Sequence, residues 1–350
     1  MQLLIDQLKS GKSLSRADVN FAVEVLVGDK VAPAVKAEFL TALAKKGETP
    51  EEIAGFASAL RDLSIQPPID DKTRALEILD VCGTGGDRLN TFNISTSVAI
   101  VVAAAGVPVA KHGNRAITSQ CGSADVLEAL GIKVDLKPEA AARSLRDHHF
   151  AFFFAPNYHP AFKNIAPVRK MCGEKGQRTI FNFLGPLLNP ARPSAQLIGV
   201  PQPGLTEPIA RVLQALGIRR GMVVSGGIRV GEFKSHYLDE LSTLGDNVIA
   251  EFYYERGFAN SILSPDELPL QQAELADLAG SDRATNAAII RRLFRGDERG
   301  PKRDAVLLNA AAALFVAGKT KSLAVGWELA GDIIDSGKAL QKLQDIAQAS

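Results

Sequence analysis

The chain has 350 residues, 46% of them hydrophobic and 23% charged, the balance of an ordinary soluble globular protein long enough for about two domains. A formal net charge of +1 argues against nucleic acid or an anionic membrane as the main partner. No run of roughly 18 apolar residues is present to span a bilayer, and MQLLIDQLKSGKSLSR carries charge too early for a signal peptide.

The first seventy residues read as helices. Val19, Ala22, Val23 and Leu26 repeat at the spacing of one helical face, behind a weak capping box at Ser15 and Asp18. Thr49-Pro50-Glu51-Glu52 starts another helix, whose apolar face holds Ile53, Phe56 and Leu60. Gln66-Pro67-Pro68 then marks a linker. From about Leu76, short β-rich runs (LEILDV, VPVAK, FAFFFA, AQLIGV, GMVVSG, NVIAEFY) alternate with helical stretches such as 97–105, 124–130 and 139–147, the pattern of βαβ units. Beyond Asp282 the chain reads as helical. The expected fold is α/β: a small all-helical domain over residues 1–70 and a larger α/β domain over 75–350 with a mostly parallel central sheet. Cys82, Cys121 and Cys172 are scattered, odd in number and without a CxxC, which favours a reducing, cytoplasmic setting over a zinc site or disulfide scaffold.

Three polar clusters interrupt this pattern. In DVCGTGGDRLNTFNIST, Gly83, Gly85 and Gly86 let the backbone turn and bring its N–H groups near an anion, and Asn93 to Thr96 precede a long helical run whose positive end favours phosphate. The spacing fits neither GxxxxGK[ST] nor GxGxxG; taken alone, the loop is also what a capped strand-to-helix turn looks like. KHGNRAITSQCGSADVLEALG again joins a strand to a helix and offers Lys111 and Arg115 with hydroxyls at Thr118, Ser119 and Ser123. In LDELS, Asp239 and Glu240 are adjacent carboxylates, a common surface pair unless a diphosphate lies near to share Mg²⁺ with them. His148-His149 ends a helical run, Arg291-Arg292 reads as a solvated face and Trp327 as core. HExxH, GxSxG and a catalytic cysteine motif are absent.

Together these segments, with FLTALAKKGETPEEIAGFASALR, APVRK, RTIFNFLGPLLNPARPSAQLIGV and KRDAVLLNAAAAL, resemble the anthranilate phosphoribosyltransferase family over nearly the whole chain. The resemblance implies transfer of a phosphoribosyl group from phosphoribosyl diphosphate to anthranilate in tryptophan biosynthesis. It implies that Gly83, Gly86, Asp87 and Thr91 surround phosphoribosyl diphosphate, with Asn93, Ile94, Ser95 and Thr96 on its diphosphate. Lys111, His112, Gly113, Asn114, Arg115, Ala116, Ile117, Thr118, Ser119 and Ser123 would form a second wall. Asp239 and Glu240, with Ser95, match the family's Mg²⁺ site. Arg169 matches the arginine near the anthranilate carboxylate, with Asn114 and Gly83 beside its ring, and no side chain is assigned as general acid or base. A helical segment within 160–185 is expected to join the helical domain, with Gly185 in the link, and a homodimer is expected through that domain.

The sequence departs from the family pattern at KMCGEKGQ after Arg169, at the long SGGIRVGEFKSHY before LDELS, and at Ser281, where a second glycine is common. Three other readings are weighed: the same transfer to another aromatic amine, a pyrimidine nucleoside phosphorylase, and a non-catalytic relative that binds nucleic acid.

Overall fold

The capping signals start helices as expected. Ser15 accepts the Asp18 N–H while the Asp18 carboxylate accepts the Ser15 N–H, and Thr49 and Glu52 make the same reciprocal pair. In this computed structural model, which describes residues 1–116, 120–229, 236–254 and 256–349, the first helices are α1 (Gln2–Lys9), α2 (Arg16–Val27), α3 (Pro33–Lys46), α4 (Pro50–Asp62) and the short α5 (Asp71–Arg74). The α/β part opens with β1 (Leu79–Gly83), α6 (Ile94–Ala104), β2 (Val109–Gly113), α7 (Ser123–Ala129), α8 (Pro138–His148) and β3 (Phe150–Phe154). Next come α9 (Ala155–Tyr158), α10 (Phe162–Glu174), α11 (Phe181–Leu184), a 3₁₀ turn (Gly185–Leu188), β4 (Ala195–Gly199) and α12 (Thr206–Ala215). The chain closes with β5 (Arg220–Ile228), β6 (His236–Leu238), β7 (Asn247–Tyr253), β8 (Gly257–Leu263), α13 (Arg283–Arg295), α14 (Pro301–Val316), α15 (Leu323–Asp335) and α16 (Lys338–Gln348).

The sheet runs β3-β2-β1-β4-β5-β7-β8, with β6 also on β5. From β3 to β5 all pairings are parallel; β6, β7 and β8 add an antiparallel end. The sequence reading missed β6 and β8 for a physical reason. β6 has three residues, and GFANSIL in β8 is mostly exposed, so neither shows the apolar run of a buried strand. The long stretch before LDELS therefore contains a β5–β6 pairing, and the extra residues after Arg169 continue α10 to Glu174.

Alternation along each strand splits the core. Leu79, Val81 and Val224 face a core with α6 and α13 to α16. Ile198, Val223 and Phe252 face the other way, joining α12 to Ile5, Val23, Phe39 and Phe56 of the first helices and to Ile165, Val168 and Phe181. α10 packs on α2 and α3, so chain from beyond β3 returns to the N-terminal bundle. His148 ends α8, with His149 in a left-handed conformation; Arg291 is half-buried and donates to the Ala129 carbonyl, and Trp327 packs against the core half-buried. No helix among the described residues is long and apolar enough to cross a membrane.

β1, β2 and β4 are neighbours, and Gly83, Gly113 and Gly199 end them, so the loops after β1 and β2 emerge on one edge of the sheet. The α14–α15 contact behind this edge is close: a Cβ on Gly326 would lie 2.7 Å from the Ala311 oxygen and 2.9 Å from its Cα. Gly326→Ala is expected to destabilise the protein by about 1–3 kcal/mol through overpacking, read as a lower urea midpoint with an unchanged m-value.

Candidate active site

β1 is buried up to Cys82, and the backbone then turns sharply. Gly85 and Gly86 have φ of +77° and +94°, and Arg88 and Asn90 also take left-handed φ values of 60° and 53°. Holding Arg88 there costs about 1–2 kcal/mol, while asparagine enters this region more readily, so the loop is shaped against local preference chiefly at Arg88. Its far side is stitched down: Thr91 bridges Ala279 and the Phe92 N–H donates to the Leu278 carbonyl at 3.0 Å. Asn93 then begins α6, whose apolar stretch 98–103 is fully buried. The helix N-terminus opens at the loop. There the Ser95 N–H donates to Glu240 Oε1 at 3.2 Å, and the buried Thr96 hydroxyl has no partner among the described residues.

The second loop leaves β2 beside the first. Lys111 is 1% exposed, with Nζ 2.7 Å from the Val81 carbonyl and 3.3 Å from Ser95 Oγ. His112 is buried; desolvation, with His159 at 5.2 Å between ring centroids, pulls its imidazole down to about 3 and keeps it neutral. The Asn114 carbonyl receives the Ala124 N–H at 3.3 Å and Ser123 Oγ at 3.4 Å. The Arg115 guanidinium is occupied, making two 2.7 Å bonds to Glu128 and one of 3.3 Å to Asp125. Asp125 also accepts the Ala116 and Gly122 N–H groups, each at 2.9 Å. Ile117, Thr118 and Ser119 lie outside the described residues.

Asp239 and Glu240 follow β6 and come up against the glycine loop. The Gly85 N–H donates to Asp239 Oδ2 at 2.6 Å. A Cβ on Gly83 would overlap that carboxylate, and one on Gly199 would overlap the Asp239 carbonyl, so both strand ends need glycine for the approach. Burial, then the nearby Asp87 and Glu240 carboxylates, hold Asp239 well above the usual carboxylate range. Burial pushes Glu240 up to about 7 against the opposing pull of Lys111 and the Ser95 N–H. Such a site is short of positive charge. Among the described residues no three His, Cys, Asp or Glu side chains are arranged to enclose an ion. A hard cation would thus take one or two of these oxygens and complete its shell from water or a phosphate ligand, the habit of Mg²⁺.

Arg169 lies on α10 two residues past Pro167, exposed, with its guanidinium 5.6 Å from the Phe181 ring centroid and no carboxylate partner among the described residues. A groove of ≈ 470 Å³ lined by Pro50, Pro203, Thr206, Glu207, Arg211 and Asn260 shares no residue with these loops.

Three supporting residues escaped the sequence reading. Gly199 was read only as part of the β-rich run AQLIGV. Asp125 holds the second loop through two N–H groups, and its cue was its place three residues after Gly122 at a helix start. Asn309 is fully buried on α14; its Oδ1 accepts the Leu241 N–H and its Nδ2 donates to the Leu241 carbonyl, both at 2.9 Å. It anchors the residue after the acidic pair. The cue was there: one amide inside AVLLNAAAALF.

Comparison with known proteins gives matches over both parts of the chain. Residues 75–340 match the glycosyl transferase family α/β domain and residues 2–64 its helical bundle domain. An anthranilate phosphoribosyltransferase of Petrotoga mobilis is 44% identical over 344 residues, 98% of this chain and 95% of the relative. The solved anthranilate phosphoribosyltransferase of Thermus thermophilus superposes with a TM-score of 0.88 at 40% identity, covering 99% of this chain and 98% of the other. That of Saccharomyces cerevisiae, solved with phosphoribosyl diphosphate and Mg, gives 0.86 at 28% identity, covering 99% and 97%.

Removing one like charge from the acidic pair has an expected cost and an expected gain. Asp239→Asn keeps an oxygen for the Gly85 N–H, so in EDTA the variant should be more stable than wild type by about 1–3 kcal/mol. Millimolar Mg²⁺ should raise the melting temperature of wild type and leave the variant nearly unmoved. Scanning fluorimetry reads both, and a variant that melts lower in EDTA counts against the charge-crowding account.

Proposed function

Because the chain belongs to the anthranilate phosphoribosyltransferase family, we propose that it transfers the phosphoribosyl group of 5-phosphoribosyl 1-diphosphate to the amine of anthranilate, a step of tryptophan biosynthesis. The observation that carries this reading is the Asp239–Glu240 pair, half-buried and buried in turn, set against the N-terminus of α6 and Lys111 and met by the Gly85 N–H of the glycine loop. In the reaction the bond from ribose C1 to the diphosphate oxygen breaks, the amine nitrogen bonds to C1, and the nitrogen then loses a proton.

Each group has a part suited to that charge flow. Asp239 and Glu240, with Ser95, would hold Mg²⁺, which when bound offsets negative charge on the departing diphosphate. Gly83, Gly86, Asp87 and Thr91 would line the ribose phosphate side. The first turn of α6, residues 93–96, would face the diphosphate with its partial positive charge. Lys111 is fixed by the Val81 carbonyl, so its charge stays put as the leaving group develops. Residues 112–116 and Ser123 would close the second wall, in which the Arg115 guanidinium serves Glu128 and Asp125. An aromatic amine is unprotonated near neutral pH, so attack needs no strong base. Positioning is left to Arg169 for the carboxylate and to Asn114 and Gly83 for the ring. The helical domain spans residues 1–70 with the α10 and α11 segment, and the α/β domain takes the rest. The protein works as a cytoplasmic homodimer joined through the helical domain, where Leu3 is 84% and Phe21 47% exposed.

The assay is anthranilate fluorescence with phosphoribosyl diphosphate and Mg²⁺. Signal loss that needs both and stops in EDTA is the expected result; no turnover with phosphoribosyl diphosphate still binding would move the acceptor to another aromatic amine. Arg169→Ala should raise the KM for anthranilate tenfold or more, roughly the loss of one charged hydrogen bond, with a smaller change for phosphoribosyl diphosphate. Sedimentation velocity should give twice the 37.3 kDa of one chain, and Leu3→Glu with Phe21→Glu should give the single mass.

A further inference from the structure

Asn93 is of the residue type that ordinarily caps its own helix, yet its side chain makes no bond to the N–H groups of α6. Its two polar atoms are used elsewhere. Oδ1 accepts from Asn286 Nδ2 at 2.9 Å, and Nδ2 donates to the Cys121 carbonyl at 3.2 Å.

Asn286, in the first turn of α13, is 1% exposed, and its Oδ1 accepts the Ser281 N–H at 2.8 Å. The two amides therefore form a chain with a backbone donor at one end and a backbone acceptor at the other. Ser281 N–H can only donate, so Asn286 must turn its oxygen to it and its NH₂ to Asn93. The Cys121 carbonyl can only accept, so Asn93 must turn its NH₂ there and its oxygen to Asn286. Neither amide is free to flip. The surrounding segment keeps the chain in place: Gly280 N–H donates to the Asn90 carbonyl at 2.8 Å, and Ser281 Oγ reaches Gln120 Oε1 at 3.4 Å.

We propose that Asn286 is a positioning residue that holds the Asn93 side chain off its own helix, so that the Thr96 N–H, the one first-turn donor of α6 not already taken by the Phe92 carbonyl or Glu240 among the described residues, stays open for an anionic ligand. The proposal rests on the reading above that this turn faces the diphosphate. Without Asn286 the Asn93 oxygen is left unpaired, and its nearest outlet is the cap it was denied. It then competes with the diphosphate. Asn93 also starts the helix: its carbonyl accepts the Ser97 N–H at 3.1 Å and Ser97 Oγ at 3.0 Å, so a shift there moves the whole first turn. The buried Thr96 hydroxyl in that turn, without a partner among the described residues, fits an end kept for a ligand.

The test is Asn286→Ser, which removes the Nδ2 that donates to Asn93. The KM for phosphoribosyl diphosphate should rise about tenfold, the scale of one buried hydrogen bond, while the KM for anthranilate stays within twofold. In an Asn93→Ala background, which has no side chain to form the cap, Asn286→Ser should add less than twofold. Equal rises for both substrates, no rise, or full additivity in the double variant would each overturn the proposal. Should Asn286→Ser not fold, hydrogen exchange on the wild type decides. The Thr96 amide should exchange faster without phosphoribosyl diphosphate and Mg²⁺ than with them, and equal protection in both states would overturn it. A wild type that does not bind phosphoribosyl diphosphate in calorimetry sinks the parent reading and this one with it, a result distinct from binding with an unchanged variant KM.

Discussion

Two neighbouring carboxylates, Asp239 and Glu240, are held largely out of water beside a third, Asp87, and much of the α/β domain is arranged around that crowding. Like charges in a desolvated site repel, and burial alone disfavours ionisation. The approach is possible only because β1 and β4 end in glycines where the 239–240 backbone comes against them. It is held by Asn309, which takes both polar groups of Leu241 from inside an otherwise apolar helix. The compensation comes from fixed positive ends: the Gly85 and Ser95 N–H groups and the buried Lys111. What this leaves uncompensated is a binding resource for a cation, since a site satisfied by its own side chains would gain little from one.

The parts legible from sequence are those governed by short-range rules. Helix starts at Ser15 and Thr49 follow from side chains three residues apart, and the parallel strands follow from runs buried on both faces. The glycine loop and the KHGN segment stand out because each breaks a strand–helix pattern with residues that suit an anion. Other features depended on partners distant in sequence. β8 shows no alternation because its exposed side chains carry no burial signal. That Arg115 is taken by Glu128 and Asp125 depends on how α7 lies against the loop, and that Asn93 fails to cap its own helix depends on Asn286, 193 positions away. A cap-forming residue at a helix start reads from sequence as a cap; only the competing partner reverses it.

The junction between the helical bundle and the sheet obeys the same logic with different charges. At the end of α4, the buried Arg61 donates Nε to the Leu187 carbonyl at 2.5 Å. Two residues on, Asn189 donates to Asp80 at 2.9 Å and to the Ala110 carbonyl at 2.7 Å. Gln196 Nε2 adds a bond to the Pro186 carbonyl at 2.8 Å. Segment 185–189 is thus tied to the bundle at one end and to β1 and β2, the two strands that launch the polar loops, at the other. Burial lifts Asp80 to about 6 against the Asn189 hydrogen bond and the Lys111 charge, and burial beside Arg192 lowers Arg61 to about 10. Removing either side chain would leave its buried hydrogen-bond partner unsatisfied, the Leu187 carbonyl or the Asn189 amide, at a cost of about 1–3 kcal/mol. The seam is consequently hard to replace piecemeal with apolar contacts. It gives the bundle a fixed polar connection to the strand ends on which both loops depend.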